Sequence, residues 1–210
     1  MEIVKQLCQM VKRRGTHISP LAILHEVQYD KTTSIGALVK MERASIGKCS
    51  SIGTLSAAYD CEIGKFCSIA RECYIGGASH PIEYVSTSGC FYLKNNFTGI
   101  SYNETDYKWH SETKIGNDVW LGFRVIVRGG INIGDGAIVG AGSVVTKDIG
   151  PYEIWAGNPA RMIRKRFTDD IIEELLKSEW WNWDDEKLMK YGYAFDNPET
   201  FIENIKEIKE

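Results

Sequence analysis

The sequence predicts an all-β shaft with helical ends, a parallel β-helix of hexapeptide repeats. Three observations carry this. From residue 115 to 150 the chain reads IGNDVW, LGFRVI, VRGGIN, IGDGAI, VGAGSV, VTKDIG without a break. The same pattern recurs upstream as IGALVK at 35, IGKCSS at 46, IGTLSA at 52, IGKFCS at 63, IARECY at 69 and IGGASH at 75. Helical periodicity is confined to the two ends.

Ile115, Leu121, Val127, Ile133, Val139 and Val145 occupy the first slot of the six hexads, and glycine fills the second slot in four of them. The fifth slot is small or β-branched: Val119, Val125, Ile131, Ala137, Ser143, Ile149. A period of six is no multiple of 3.6, but it suits the two-residue alternation of strands. Glycines break any long strand. Short strands joined by glycine-bearing turns give a polygonal coil whose first-slot aliphatics stack inside the shaft. A β-sandwich with regular turns is the competing architecture, and six hexads in register argue against it. The period does not fix the hand; the usual chirality of parallel connections favours a right-handed coil.

The elements follow in order. Residues 1–16 form an N-terminal helix, with Ile3, Val4, Leu7, Met10 and Val11 at helical spacing. Residues 17–160 form the shaft, and the spacing slips by one residue between Ile35 and Ile46 and again between Ile52 and Ile63. From about 80 to 114 the hexads stop and aromatics accumulate, which reads as a loop thrown out from the shaft. Residues 161–210 form a helical extension. Its helices cover 169–177 and 184–191, with acidic first turns, and a last one opens at Asn197-Pro198 with Phe201, Ile202, Ile205 and Ile208 as its stripe. These helices would cap an open end or pack between subunits.

Composition excludes several classes. The 210 residues are 43% apolar and 25% charged, as in ordinary globular chains. A net charge of -3 gives no electrostatic footprint for nucleic acid. No apolar run approaches a membrane span. The opening MEIVKQLCQMVKRRG lacks the apolar stretch of a secretory signal, so a reducing cytoplasm is expected and the six cysteines are expected as free thiols. Cys61, Cys67 and Cys73 stand six apart, which is the period of the shaft rather than the spacing of metal ligands; no metal is expected.

IGNDVWLG, VGAGSVVTKD and AGNPARMIR between 115 and 164, IGKFCSIA and SHPIEYVST before the loop, and WWNWDDEK near the end resemble one family. It is the left-handed β-helix acyltransferases, and within them the xenobiotic acetyltransferase subgroup, which includes streptogramin, chloramphenicol and sugar or capsule O-acetyltransferases. The similarity covers about residues 35–190. It implies a left-handed coil and a homotrimer with each active site between subunits. It also implies direct acetyl transfer from acetyl-CoA to a hydroxyl.

A neutral alcohol attacks a thioester slowly, and a base that takes its proton in the transition state accelerates this by ~10²–10⁴. Histidine suits the task. The chain has His17, His25, His80 and His110. His80 sits where the loop leaves the shaft and matches the family's catalytic histidine in the motif that here reads SHP; its competing role is a turn residue fixed by Pro81. His110 reads as a surface residue at the far end of the loop. Glu83, Glu72 or a main-chain carbonyl could orient His80. By resemblance, Gly122, Ala141, Thr146, Lys147, Arg161 and Arg164 line the acetyl-CoA groove, with RMIRKR at 161–166 supplying cations for phosphates. Phe123 stands where many relatives carry a smaller residue. The loop's aromatics offer surface to an acceptor, a sugar or polysaccharide precursor by preference and an antibiotic as the alternative. A non-catalytic β-helix scaffold is the reading from a different class.

Overall fold

The computed structural model describes residues 17–103, 106–108 and 110–209. The helix expected over 1–16 lies outside them. The described chain winds into a three-faced, left-handed parallel β-solenoid. On the first face, His17, Ser34, Ser51, Ser68, Trp120, Ile138 and Ile154 lie in one register column. On the second, the column runs Ile23, Lys40, Ala57, Tyr74, Ile126, Val144. On the third, it runs Tyr29, Ile46, Ile63, Ile115, Ile133, and Ile149 bridges the last of these. The right-handed rule rests on a twisted strand feeding a crossover helix. Here strands such as Ser51–Ile52 and Trp120–Leu121 are two residues long and no helix intervenes, so the rule has nothing to act on.

The first-slot aliphatics point inward and are buried, as are the fifth-slot residues. Buried hydroxyls in the fifth slot are satisfied by neighbouring coils. Ser50 Oγ donates to Gly64 O at 2.7 Å and accepts from Cys67 N at 2.9 Å. The second-slot glycine serves coil stacking. A Cβ on Gly64 would stand 2.5 Å from Gly116 O, and one on Gly134 would stand 2.6 Å from Pro151 N. The turn itself is made at the fourth slot, where Leu38, Cys49, Leu55, Phe66, Glu72, Asp118 and Arg124 all adopt positive φ.

The slipped spacing has a structural cause. In Ile23–Tyr29, Lys40–Ile46 and Ala57–Ile63 one strand bends across the edge between the second and third faces. Glu26, Arg43 and Asp60 turn that edge alone, with φ of 53°, 48° and 47°. Those coils are therefore one residue short of three hexads.

Cys61, Cys67 and Cys73 pack in the shaft, and burial pushes the thiols of Cys61 and Cys67 up to about 12. No group of metal-ligating side chains forms among the described residues. The loop spans residues 77–112, between the strands Tyr74–Gly76 and Thr113–Ile115, so the shaft resumes slightly earlier than the sequence suggested.

At the far end, strand Glu153–Gly157 pairs antiparallel with Ala160–Lys165. This hairpin covers the shaft's open edge, and the helical extension begins at Asp169 rather than at 161. Helices α1 (Asp169–Ser178), α2 (Asp185–Tyr191) and α3 (Pro198–Lys209) follow. Asp184 caps α2 by accepting from Lys187 N, and Asn197 caps α3 by accepting from Thr200 N at 2.9 Å. Trp180, Trp181 and Phe201 form a second core with Tyr152, Ile172 and Leu175. Lys48 pairs with Asp185, and Lys65 Nζ donates to Asn182 at 2.8 Å, tying this core to the shaft. No helix of the described residues is long and apolar enough to cross a membrane.

Gly64→Ala should destabilise the chain by about 1–3 kcal/mol through overpacking against main chain that cannot yield. Gly192→Ala, with nothing within 4 Å of its added Cβ, should be near neutral. Denaturant unfolding of both variants checks this, and equal midpoints would refute the stacking account.

Candidate functional site

The loop leaves the edge between the second and third faces, directly above the corner turned by Asp60. Tyr59 pairs with Gly76 on one side of that corner and Cys61 with Thr113 on the other. An antiparallel bridge between Ala78 and His110 closes the loop at its root. Beneath it, the buried Asp60 carboxylate accepts both arms of Arg43, Nε at 2.7 Å and Nη2 at 3.0 Å. His110 Nδ1 lies 3.7 Å from the same carboxylate, which places His110 at the loop's anchor.

His80 stands three residues into the loop, exposed, with its ring fixed on one side. Nδ1 is 2.8 Å from Thr87 O and 2.7 Å from Tyr92 Oη. A carbonyl oxygen can only accept, so in the neutral ring Nδ1 carries the proton and Nε2 keeps its lone pair. Of the three partners open to the sequence, the main-chain carbonyl takes the role. Glu72 is occupied elsewhere, accepting from Arg124 Nε at 2.7 Å.

The loop beyond His80 folds back to bring Thr87 and Tyr92 to the ring. A 3₁₀ turn covers Gly89–Phe91, and Tyr92 follows it, buried. Tyr92 meets Tyr107 edge to face at 5.7 Å, and Tyr107 meets Tyr84 at 5.8 Å. Asn96 holds the next turn. Its Nδ2 donates to Ile100 O at 2.8 Å, and its Oδ1 accepts from the Thr98 main chain and hydroxyl. Between these turns and His80 lies a pocket of about 490 Å³, walled by Ala78, Tyr92, Leu93 and Phe97 with Cys90 and Asn95. Among the described residues no lysine or arginine lines it. The Thr98 and Ser88 hydroxyls hold the Cys90 thiol below its ordinary value.

The residues assigned to the cofactor fall on two edges of the shaft. Gly122 is buried, and a Cβ there would stand 2.6 Å from Ala141 N, so these two stack on the edge between the first and second faces. Ala156 stacks over Gly140 on that edge, and Arg161 pairs with Ala156 in the hairpin. Arg161 and Arg164 are exposed, and each donates Nη1 to a main-chain carbonyl at 2.9 Å. Thr146 and Lys147 follow strand Val144–Val145, on the edge from which the loop departs. Between the two edges the second face presents Tyr74, Ile126 and Val144 outward. Phe123 packs under Arg124, whose guanidinium lies 4.8 Å from its ring. Trp120 points outward, as its slot requires.

Comparisons with known proteins agree with the fold. The model of the bacterial transferase hexapeptide (six repeats) matches residues 112–147. A probable macrolide acetyltransferase of Lysinibacillus sphaericus is 42% identical over 136 residues, 64% of this chain and 72% of that one. A chloramphenicol acetyltransferase of Klebsiella aerogenes is 44% identical over 126 residues, and the chain spans 60% of its length. AntD, an N-acyltransferase from Bacillus cereus solved with dTDP-4-amino-4,6-dideoxyglucose and coenzyme A, shares the fold at 23% identity. Its TM-score is 0.61, over 78% of this chain and 88% of that one. By the repeat that builds its shaft and by the identity it keeps along nearly three quarters of the macrolide enzyme's length, the chain belongs to the hexapeptide-repeat acyltransferases.

Proposed function

We propose that the chain is an acetyl-CoA-dependent O-acetyltransferase in which His80 is the general base. The observation that carries this reading is the Nδ1 tether to Thr87 O, which in the neutral ring leaves the Nε2 lone pair free on a residue that lines the pocket. In the reaction, Nε2 takes the acceptor's hydroxyl proton as the oxygen attacks the thioester carbonyl. The C–O bond forms and the C–S bond breaks. The imidazolium then returns the proton to the departing thiolate. A turn residue or an inert scaffold would need no such free nitrogen.

The acceptor is read from the pocket walls. A sugar nucleotide carries a diphosphate and calls for cations, and the described residues that line this pocket include none. Apolar walls with a few polar groups suit an uncharged alcohol with an apolar body. That shifts the preference from a saccharide precursor to the antibiotic alternative, in keeping with the relatives named for macrolides and chloramphenicol. Gly122 and Ala141 give the pantetheine arm an edge bearing no side chain larger than a methyl, with Thr146 across the face. Lys147, Arg161 and Arg164 supply cations for the phosphates. A homotrimer accords with the exposed apolar side chains Ile23, Leu38, Leu55, Tyr74 and Ile126. Trp180, Trp181 and Trp183 belong to the second core or pack against it rather than supplying a subunit contact. A catalytic shaft over 17–160 and a cytoplasmic setting complete the reading.

His80→Ala should keep the fold and lower turnover by ~10²–10⁴. A folded variant with near-normal turnover would remove His80 from the mechanism. Turnover measured on chloramphenicol, a macrolide, a free sugar and a dTDP-linked sugar should favour the first two. Preference for the dTDP-linked sugar would overturn the acceptor reading. Replacing Lys147 and Arg164 together by alanine should raise the KM for acetyl-CoA about tenfold and leave the acceptor KM unchanged, as expected for lost bonds to charged phosphates. An unchanged acetyl-CoA KM would make the basic stretch mere solvated surface.

A further inference from the structure

We infer that Tyr92 is a positioning residue for His80, its hydroxyl oxygen serving as a second acceptor that steadies the imidazolium formed during turnover. This rests on the reading of His80 as the base, and the tyrosine's part is separable from it.

Nδ1 has one proton and two close oxygens, Thr87 O at 2.8 Å and Tyr92 Oη at 2.7 Å. If Tyr92 donated to Nδ1, the nitrogen's lone pair would be committed to the phenol and would also face the carbonyl oxygen. Two electron-rich atoms at 2.8 Å without a proton between them repel each other. The Thr87 carbonyl therefore decides the direction: Nδ1–H donates, shared between both oxygens, and the phenol proton turns away. In neutral imidazole this shared bond is modest. Once Nε2 takes the acceptor's proton, the charge spreads over both ring nitrogens and Nδ1–H becomes a cationic donor. Bonds of that kind are about twice as strong as neutral ones. The gain belongs to the charged form, so it lowers the barrier without tightening ground-state binding.

Tyr92 is built to hold one place. It is 3% exposed, its amide donates to Gly89 O at 3.2 Å, and its carbonyl accepts from Tyr107 N at 2.9 Å. Its ring stands nearly perpendicular to both neighbours, 82° to His80 and 83° to Tyr107. Tyr84 extends the column to the surface. The hydroxyl oxygen is thus presented to Nδ1 by packing that does not depend on the bond. Cys90 and Tyr92 are the other titratable side chains lining the pocket. Tyr107 lies behind Tyr92, Glu83 follows three residues after His80, and His110 and Asp60 sit at the loop root.

The test is Tyr92→Phe in the full chain, which removes one oxygen and keeps the ring, with Tyr102→Phe as the exposed control. Two measurements are made. The His80 imidazole is titrated by nitrogen NMR, which needs no acceptor, and kcat and both KM values are measured with acetyl-CoA and chloramphenicol. Tyr92→Phe should move the His80 titration to lower pH, because the charged form has lost an acceptor. It should lower kcat about tenfold with both KM values within twofold of wild type. Tyr102→Phe should change neither. Wild-type titration in a folded Tyr92→Phe protein overturns the inference. So does a rise in KM with kcat preserved, which would mark Tyr92 as a wall of the pocket. If the phenylalanine variant misfolds, Tyr92→Leu must show the same titration shift. Failure of the underlying reading shows separately, as turnover that survives His80→Ala.

Discussion

The distance between stacked coils governs this molecule. Parallel strands repeat at about 4.8 Å, and at each corner the main chain of one coil lies against that of the next. Gly36, Gly53, Gly64, Gly116, Gly122 and Gly134 all stand where an added Cβ would meet neighbouring main chain or a short side chain at 2.5–2.7 Å. The glycine of the hexad is a matter of space, and the left-handed backbone is borne by the fourth slot, often by a residue with a side chain. With corners that close, first-slot aliphatics fall into columns and fill the shaft. The fifth-slot serines and threonines find partners one coil away. The cysteines spaced six apart obey the same column rule, and for that reason their thiols are buried and hold their protons.

One edge escapes this uniformity. Between the second and third faces the chain turns on a single residue in the first coils, on Gly129 and Gly130 later, and on the whole 77–112 loop in between. An edge that tolerates such differences in length can carry an insertion without disturbing the other two faces, whose register continues across it from Ser68 to Trp120 and from Tyr74 to Ile126. The insertion is then tied down where it starts. Ala78 bridges His110, and Arg43, Asp60 and His110 stack under the root. His80 is only two residues beyond that tie, so the shaft's rigidity extends almost to the imidazole.

This explains which parts could be read in the sequence. The coil was legible because every hexad repeats one local constraint, and the three C-terminal helices because their stripes and caps are local too. The hand was legible only through the family resemblance, which implied a left-handed coil, since nothing in a period of six has a chirality. His80 stood out by its place at the end of the last upstream hexad and by the SHP motif that resembles the family's. Its partners did not. Thr87 acts through a carbonyl, which any residue possesses, and Tyr92 is one of several aromatics in an aperiodic stretch, brought to the ring by a fold-back that no period encodes. The boundary of the helical extension moved for a similar reason: RMIRKR reads as a source of cations for phosphates, and it also forms the strand that pairs with Glu153–Gly157.

The orientation of His80 by oxygen dipoles also bears on the chemistry proposed for it. In the proposed reaction the same imidazole takes a proton from an alcohol and gives it to a thiolate. A carboxylate on Nδ1 would stabilise the imidazolium strongly, which favours the first transfer and penalises the second. A carbonyl and a phenol oxygen stabilise it less, because neither carries a full charge. The intermediate charge is then steadied enough to form and remains acidic enough to discharge onto the leaving sulfur. The arrangement also keeps formal negative charge out of a pocket whose walls are apolar. An anionic orienter there would be costly to desolvate and would repel the thiolate as it departs. On this account the uncharged pocket and the carboxylate-free base are two expressions of one requirement: a single histidine passes one proton in both directions.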